Sequence, residues 1–326
     1  VPSEFVETVR IQNFGCVRDA TLELTRLHAL IGPNDSGKST VLAALQTACG
    51  LTQTGSVAVV PLGSLDSQVS MSWHVAGVRR AVELRAQGGK WDIQLSRSQD
   101  EGVPFELRPA QGAMMVRWDP DSIRRASELV PEGRPLKVDE RGDGIAAVYD
   151  AVLSRDRVAF DEIEARVRRL FPTIKSIWLP TSAGSKKSLG VILNDGTRVH
   201  ANAMSEGLLY WLAFAILPQI SRTAFVLVEE PENGLHPSRI TEVMSVLRDI
   251  STSRQVIIAT HSPLVINELQ PEEVTILTRT AEQGTRATRI DRTTHFQQRE
   301  KVYALGELWL SFADGSSEAA LVPPQT

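Results

Sequence analysis

Apolar and polar positions alternate with a two-residue period over residues 5–13 and 20–24, which predicts two half-buried strands. Residues 27–31 form a short apolar run that leads into a glycine-bearing turn, and residues 39–49 follow with helical composition. Alternation returns at 69–76, 81–86 and 91–96. Gly77 and the Gly88-Gly89 pair punctuate these runs and predict an antiparallel meander. From 120 to 170 the chain reads as helical and charged, with Phe160, Ile163, Val167 and Leu170 on one helical face. Strands are expected at 174–179 and 189–193, and Asn194-Asp195-Gly196 predicts a hairpin turn into 197–200. Residues 205–217 predict an apolar helix. Residues 224–228, 255–259 and 274–277 read as buried strands, with helices starting at Pro237 and Pro263 between them.

The order is strand, loop and helix, then an insertion, then alternating β and α. It predicts a mostly parallel sheet carrying an inserted lobe. The expected parts are an N-terminal lobe over 1–112, an inserted helical and β lobe over 113–202, and a C-terminal lobe over 203–326. With 326 residues, 42% apolar and 23% charged, the chain has the composition of a soluble globular protein. Cys16 and Cys49 are its only cysteines, and they offer neither a disulfide framework nor zinc-ligand spacing. The start lacks a signal-peptide pattern, and the longest apolar run, 208–217, is too short to span a bilayer, so a cytoplasmic protein without membrane contact is expected. A net charge of −4 argues against strong non-specific nucleic-acid binding by the whole chain. One local stretch is arginine-rich: Arg279, Arg286, Arg289, Arg292, Arg299 and Lys301 stand against Glu282, Asp291 and Glu300. It reads as a solvated edge, with a nucleic-acid patch as the alternative.

Candidate chemistry begins at residues 32–40, Gly-Pro-Asn-Asp-Ser-Gly-Lys-Ser-Thr, which fit G-x-x-x-x-G-K-[ST] between an apolar strand and a helix. Gly32, Asn34, Asp35, Ser36 and Gly37 would turn successive backbone N–H groups toward phosphate oxygens, with the positive end of the following helix behind them. Lys38 would place a point charge at the β- and γ-phosphates, and Ser39 would offer a hard oxygen to Mg²⁺, followed by Thr40. Farther on, an apolar strand ends in Glu229-Glu230-Pro231, at the sheet edge where ligands of open α/β sheets bind. Neighbouring strand residues point to opposite faces, so the two carboxylates can serve a metal and an attacking water separately. The strand at 255–259 ends in Thr260-His261-Ser262-Pro263, which brings a histidine to the same edge.

Taken together, these pieces resemble the ABC-type ATPases of the RecF/SMC/OLD group, and more narrowly the stand-alone bacterial AAA-family ATPases related to OLD proteins. The resemblance rests on the opening Val9-Arg-Ile-Gln-Asn-Phe14 and on the helical stretch from Gly144 to Pro172. It rests also on Ala203-Met-Ser-Glu-Gly-Leu-Leu209 at the signature-loop position, Glu229 through Pro237 at the Walker B and D-loop positions, and Ala259-Thr-His-Ser-Pro263 at the switch-histidine loop. It implies an α/β P-loop fold of ABC-ATPase type with an antiparallel β subdomain and a helical insertion. It also implies Mg-ATP as ligand, bound by Lys38, Ser39 and Thr40, with Glu229 helping to hold Mg²⁺, Glu230 as catalytic base and His261 as γ-phosphate sensor. Ser205 and Gly207 would contact the nucleotide of an opposite subunit, making an ATP-dependent homodimer. The signature loop departs from the transporter-like Leu-Ser-Gly-Gly-Gln, and Glu229 stands where many ABC proteins carry aspartate. Gln68 and Gln87 are candidates for a Q-loop glutamine, neither preferred, and residues 13–18 are where the resemblance puts the adenine contacts.

No Asp-x-Asp cluster of the kind found in the Toprim nuclease of OLD proteins follows His261; Asp291 and Asp314 stand alone, and residues 300–312 predict a closing helix docked through Val302, Leu305, Leu308 and Trp309. The expected role is therefore the ATPase subunit of a bacterial defence system, working with a separate effector such as a nuclease. The alternatives are a RecF-like DNA clamp, a transporter's nucleotide-binding subunit and a non-hydrolysing scaffold.

Overall fold

The alternating and apolar runs fold into two principal sheets. The coordinates are a computed structural model, which describes residues 5–54, 63–75, 78–87, 90–96, 110–182, 184, 186–220, 223–280, 282 and 284–293. The expected closing helix at 300–312 lies outside them. In chain order the elements are β1 (Thr8–Phe14), β2 (Val17–Glu23), β3 (Leu27–Ile31), α1 (Lys38–Thr54), β4 (Gly63–Val75), β5 (Val78–Gln87), β6 (Lys90–Ser96) and β7 (Ala113–Val116). Then come α2 (Pro120–Ile123), β8 (Ser127–Glu128), α3 (Ile145–Arg155), α4 (Arg157–Leu170), β9 (Ile174–Trp178), β10 (Thr181–Ser182), β11 (Lys186–Lys187), β12 (Gly190–Leu193), β13 (Arg198–His200) and α5 (Glu206–Ile216). The chain continues through β14 (Phe225–Glu229), α6 (Pro237–Ser251), β15 (Gln255–Thr260), α7 (Pro263–Ile266), β16 (Val274–Thr280) and β17 (Gly284–Arg289).

The chain divides into two compact units. Unit 1 comprises Val1–Met114, Thr223–Glu232 and Leu247–Thr326; unit 2 comprises Met115–Arg222 and Asn233–Val246. Unit 1 holds a five-stranded sheet in the order β2-β1-β4-β5-β6, antiparallel throughout. The second sheet runs β17-β16-β3-β15-β14-β7. In it β16, β3, β15 and β14 are mutually parallel, and β17 returns antiparallel to β16. Every residue of β3 and β15 is buried, as are the first four of β14, which is why these strands read as apolar runs rather than alternating ones. Helix α1 touches β14 and β15 on one side and β1, β4 and β6 on the other. Burial on both sides accounts for its broad apolar arc of Val41, Leu42, Ala44, Leu45, Ala48 and Leu51.

In unit 2, α3, α4 and α5 pack on one another and α4 covers β9. Helix α5 is buried from Leu208 through Ile216, and the Tyr149 hydroxyl of α3 donates to the Leu212 carbonyl at 2.8 Å. Residues 124–144, expected to be helical, are instead turns and extended chain around β8. Pro131, Pro135 and three left-handed glycines, Gly133, Gly142 and Gly144, break any helix there. The Asn194-Asp195-Gly196 turn joins β12 to β13 as expected, with Gly196 at φ 86°. The helix starting at Pro263 is only four residues long. No helix among the described residues is long and apolar enough to cross a membrane.

One polar group lies inside the β3 core. His28 is fully buried; its Nε2 lies 2.9 Å from Thr275 Oγ1 and its Nδ1 3.1 Å from Thr25 Oγ1. Burial, helped by Arg289, holds its pKa at about 3, against 6.5 for an ordinary imidazole. The folded pKa is depressed, so between those values the unfolded chain binds more protons than the native one. The stabilisation is fully present above pH 6.5 and is lost as pH falls toward 3. A His28→Gln variant, which keeps polar atoms for both threonines, should therefore lose less stability than wild type over this window, by on the order of a few kcal/mol at its acid end. Urea unfolding at stepped pH measures this, and parallel acid limbs for the two proteins would rule it out.

Candidate functional site

The turn after β3 is shaped by backbone contacts that only glycine permits. A Cβ on Gly32 would lie 2.3 Å from the Leu277 carbonyl of β16, and one on Gly37, at φ 103°, would meet Thr285 Oγ1 at 2.6 Å. Thr285, on β17, donates to the Ser36 carbonyl at 2.9 Å from a fully buried position. The β16–β17 hairpin thus buttresses the loop from outside. Asp35 completes the wrap at φ 67°, a left-handed value costly for a residue with a side chain. Helix α1 starts at Lys38, so its positive end opens on the space enclosed by the loop.

That space is a cavity of about 500 Å³, lined by loop residues 34–40 together with Cys16, Glu229, Glu230 and Arg279. The buried Lys38 donates from Nζ to the carbonyls of Gly32 (2.7 Å) and Pro33 (3.0 Å). Burial lowers its pKa, although Glu230, Glu229, Glu232 and Asp35 all pull the other way. Ser36 Oγ is buried and has no hydrogen-bond partner among the described residues. A buried cation bonded to carbonyls and an orphaned hydroxyl, at the positive end of α1, fit a phosphate chain. Ser39 Oγ donates to Glu229 Oε1. These two hard oxygens face one another at the cavity wall and fit Mg²⁺, which favours a few protein oxygens supplemented by water and phosphate.

Glu229 and Glu230 do serve different directions, but not by simple strand alternation. Glu229 ends β14 toward Ser39, whereas Glu230 has left the strand at φ 48°, with its N–H bonded to the Ala259 carbonyl at 2.8 Å. This left-handed turn carries its carboxylate to His261, whose Nδ1 lies 2.7 Å from Glu230 Oε2. Glu232 joins them: its Oε1 accepts from Thr260 Oγ1 at 2.5 Å and lies 3.9 Å from His261 Nδ1. Burial, with Glu230 next, raises the Glu232 pKa to about 7.

The structure therefore gathers Gly32, Asn34, Asp35, Ser36, Gly37, Lys38, Ser39, Thr40, Glu229, Glu230 and His261 in unit 1, around one loop and its facing strand ends. Ser205 and Gly207 belong to unit 2. There Ser205 caps α5, its Oγ accepting from Leu208 N at 3.4 Å, and a Cβ on Gly207 would sit 3.2 Å from the Gly234 carbonyl. Gly234, at φ 69°, is pressed against the Tyr210 ring. Gln68 is committed to the five-stranded sheet through Glu83 Oε1 at 2.5 Å, and the Gln87 side chain lies outside the described residues. Of residues 13–18, Cys16 lines the cavity, while Arg18 bonds the Glu282 carbonyl at 2.5 Å. Trp73 and Trp118 are core, and Trp178 carries the Arg198 guanidinium over its ring and meets His200 edge-on.

Glu232, Arg279 and Thr285 did not stand out as site residues in the sequence, whereas Cys16 falls in the 13–18 segment expected to contact adenine. For Glu232 a signal was present, a third carboxylate two residues beyond the pair. For Thr285 there was none, because β17 lies in a stretch read only for its charge. Within that stretch Arg289 pairs with Asp291 and Glu23, and Arg292 with Glu23, while Arg299 and Lys301 lie outside the described residues.

Solved structures share this fold. The SMC head domain from Thermotoga maritima matches with a TM-score of 0.52 and 15% identity, covering 88% of this chain and 99% of the other. An SMC head bound to the C-terminal winged-helix domain of ScpA matches at 0.60 and 14%, covering 87% and 97%. An SMC head with an extended coiled coil, bound to the C-terminal domain of ScpA derived from Pyrococcus furiosus, matches at 0.54 and 13%, covering 92% and 100%. The fold is that of an ABC-type P-loop ATPase head, as the sequence motifs implied. The profile of the family described as "AAA domain, putative AbiEii toxin, Type IV TA system" matches residues 27–267, well over half of the sequence, and the chain belongs to that family.

Gly32→Ala tests the loop geometry. The Leu277 carbonyl cannot move without moving β16, so the variant should lose roughly 1–3 kcal/mol of stability. Mg-ATP affinity should fall by about tenfold or more, the equivalent of ~1.4 kcal/mol. Thermal melts and nucleotide titration measure both; unchanged values would mean that the close approach is not needed.

Proposed function

We propose that this chain is an ATP hydrolase whose site is completed by a second copy of itself. The observation that carries this reading is that Ser39 and Glu229, paired with one another, and Glu230, backed by His261, line one cavity with the buried Lys38. Lys38 and the loop N–H groups would hold the phosphates. Ser39 and Glu229 would hold Mg²⁺, which when bound neutralises phosphate charge. Glu230 would orient and deprotonate the attacking water, with His261 holding the carboxylate and reading the γ-phosphate. Ser205 and Gly207 would be offered to the nucleotide of the partner copy, so that ATP joins two heads. In the cell we place the protein as the ATPase subunit of a bacterial anti-phage system that acts through a separate effector. The family description, with its toxin of a type IV toxin–antitoxin system, supports that setting. The ion-paired arginines of β17 and its flank weigh against the DNA-clamp alternative.

Glu230→Gln should lower kcat by about 10²–10⁴ and leave ATP binding intact. Native mass spectrometry of this variant in Mg-ATP, expressed with its flanking genes, reads the assembly. A second polypeptide in the complex supports the effector reading. A bare ATP-dependent homodimer would turn the reading toward a DNA clamp, and a monomer that ignores ATP would overturn the shared site.

Arg279 reaches the cavity from the end of β16 and donates to the Asp35 carbonyl at 3.5 Å. We expect it to contact the nucleotide beyond the phosphate loop. Arg279→Ala should weaken ATP binding about three- to tenfold, as loss of a partly exposed charged contact does, with kcat unchanged. An unchanged Kd in a titration would remove it from the site.

A further inference from the structure

Glu232 sits where its two oxygens have different surroundings. Its side chain is 10% exposed, against 20% for Glu230 and 59% for His261. Oε1 is satisfied by the hydroxyl of Thr260, the fully buried last residue of β15, and that hydroxyl in turn accepts from Ser262 N–H at 2.9 Å. Oε2 is buried and has no hydrogen-bond partner among the described residues. A carboxylate oxygen and the His261 Nδ1 can be chosen from Glu230, Glu232 and His261 such that all lie within 4.8 Å of one another. Glu230 Oε2 is close to the histidine at 2.7 Å, but is not aligned with it as a hydrogen bond. Glu230 Oε2 and Glu232 Oε2 are thus both buried without a hydrogen bond among the described residues, and one oxygen of each carboxylate lies within 4.8 Å of the other. One proton between them satisfies both, and two anions there would repel.

We propose that Glu232 is a positioning residue for the catalytic base: anchored through Oε1 to Thr260, it stands as the neutral acid and donates from Oε2 to the Glu230 carboxylate. This rests on the reading of Glu230 as base. The groups facing Glu232 are Glu230 from the end of β14, His261 and Thr260 from the end of β15, and Lys38 from α1. Glu232 is the better buried of the two acids and so the one on which the proton is cheapest. Its raised pKa agrees with this. The consequence is a fixed link between the strand that carries the switch histidine and the residue that activates water. It also keeps the Glu230 carboxylate directed, rather than free to swing toward Lys38.

Glutamine is the isostere of the neutral acid. Its amide oxygen can accept from Thr260 while its NH₂ donates to Glu230. Glu232→Gln should therefore keep kcat within about threefold of wild type, whereas Glu232→Ala should lose about tenfold or more in kcat with KM little changed. Inactivity of Glu232→Gln, or full activity of Glu232→Ala, overturns the proposal. A second measurement needs no turnover. The infrared difference spectrum between wild type and Glu232→Gln at about pH 6, below the raised pKa of about 7, should contain one protonated-carboxyl band. Its absence overturns the proposal even if the chain hydrolyses ATP. Its presence in a chain that hydrolyses nothing would leave the shared proton in place and sink the enzymatic reading instead.

Discussion

The parallel register of three buried strands is the constraint from which the site follows. Ile31 of β3 lies opposite Thr260 of β15, and Ala259 lies opposite Glu229 of β14. Gly32, His261 and Glu230 are each the first residue beyond their strand, so the register brings the loop, the histidine and the carboxylate to one edge. A slip of one residue would turn the β14 side chains over and send Glu229 away from Ser39. The strands are buried on both faces, so only their ends are free to carry polar groups, and the chemistry is confined to that edge.

Charge and strain collect there for the same reason. Three non-glycine residues have left-handed backbone among the described residues, and two of them, Asp35 and Glu230, line the cavity. Each conformation costs on the order of 1–3 kcal/mol. Glycine would relieve it but would remove the carboxylate that the turn exists to aim. The buried Lys38 sits among four carboxylates, with its ammonium group tied to carbonyls of its own loop. Phosphate oxygens could take over those donor directions without any rearrangement of β3 or α1, because the loop is already braced by Leu277 and Thr285.

Much of this was legible in the residues. The phosphate loop, the carboxylate strand and the histidine strand were placed from local pattern, since each is an apolar run ended by a polar group. The meander was legible because glycines mark its turns. Less legible was anything set by a distant partner. Residues 124–144 have helical composition, but their prolines and left-handed glycines override it. β17 was read only for its arginines; the threonine that braces the loop looks like any strand threonine until β16 pairs with it. The different directions of Glu229 and Glu230 were expected from strand alternation, but it is a left-handed backbone turn at Glu230 that supplies them.

That turn also accounts for the order of acids along the chain. A carboxylate aimed by a left-handed residue has a fixed backbone but a side chain free to rotate, and the nearby ammonium of Lys38 would attract it. If Glu230 is the base we propose, it needs a partner that holds it without neutralising it. His261 is too exposed to do this alone, and a second anion would repel. Pro231 follows Glu230 directly, so its ring fixes φ and its nitrogen has no hydrogen to spend on the carboxylate. The next residue, Glu232, is the nearest position in the chain that can fold back on Glu230, and Thr260 holds it there. Backbone strain at one residue, rigidity at the second and a buried acid at the third thus meet in three consecutive positions, held to the end of a neighbouring strand through Thr260.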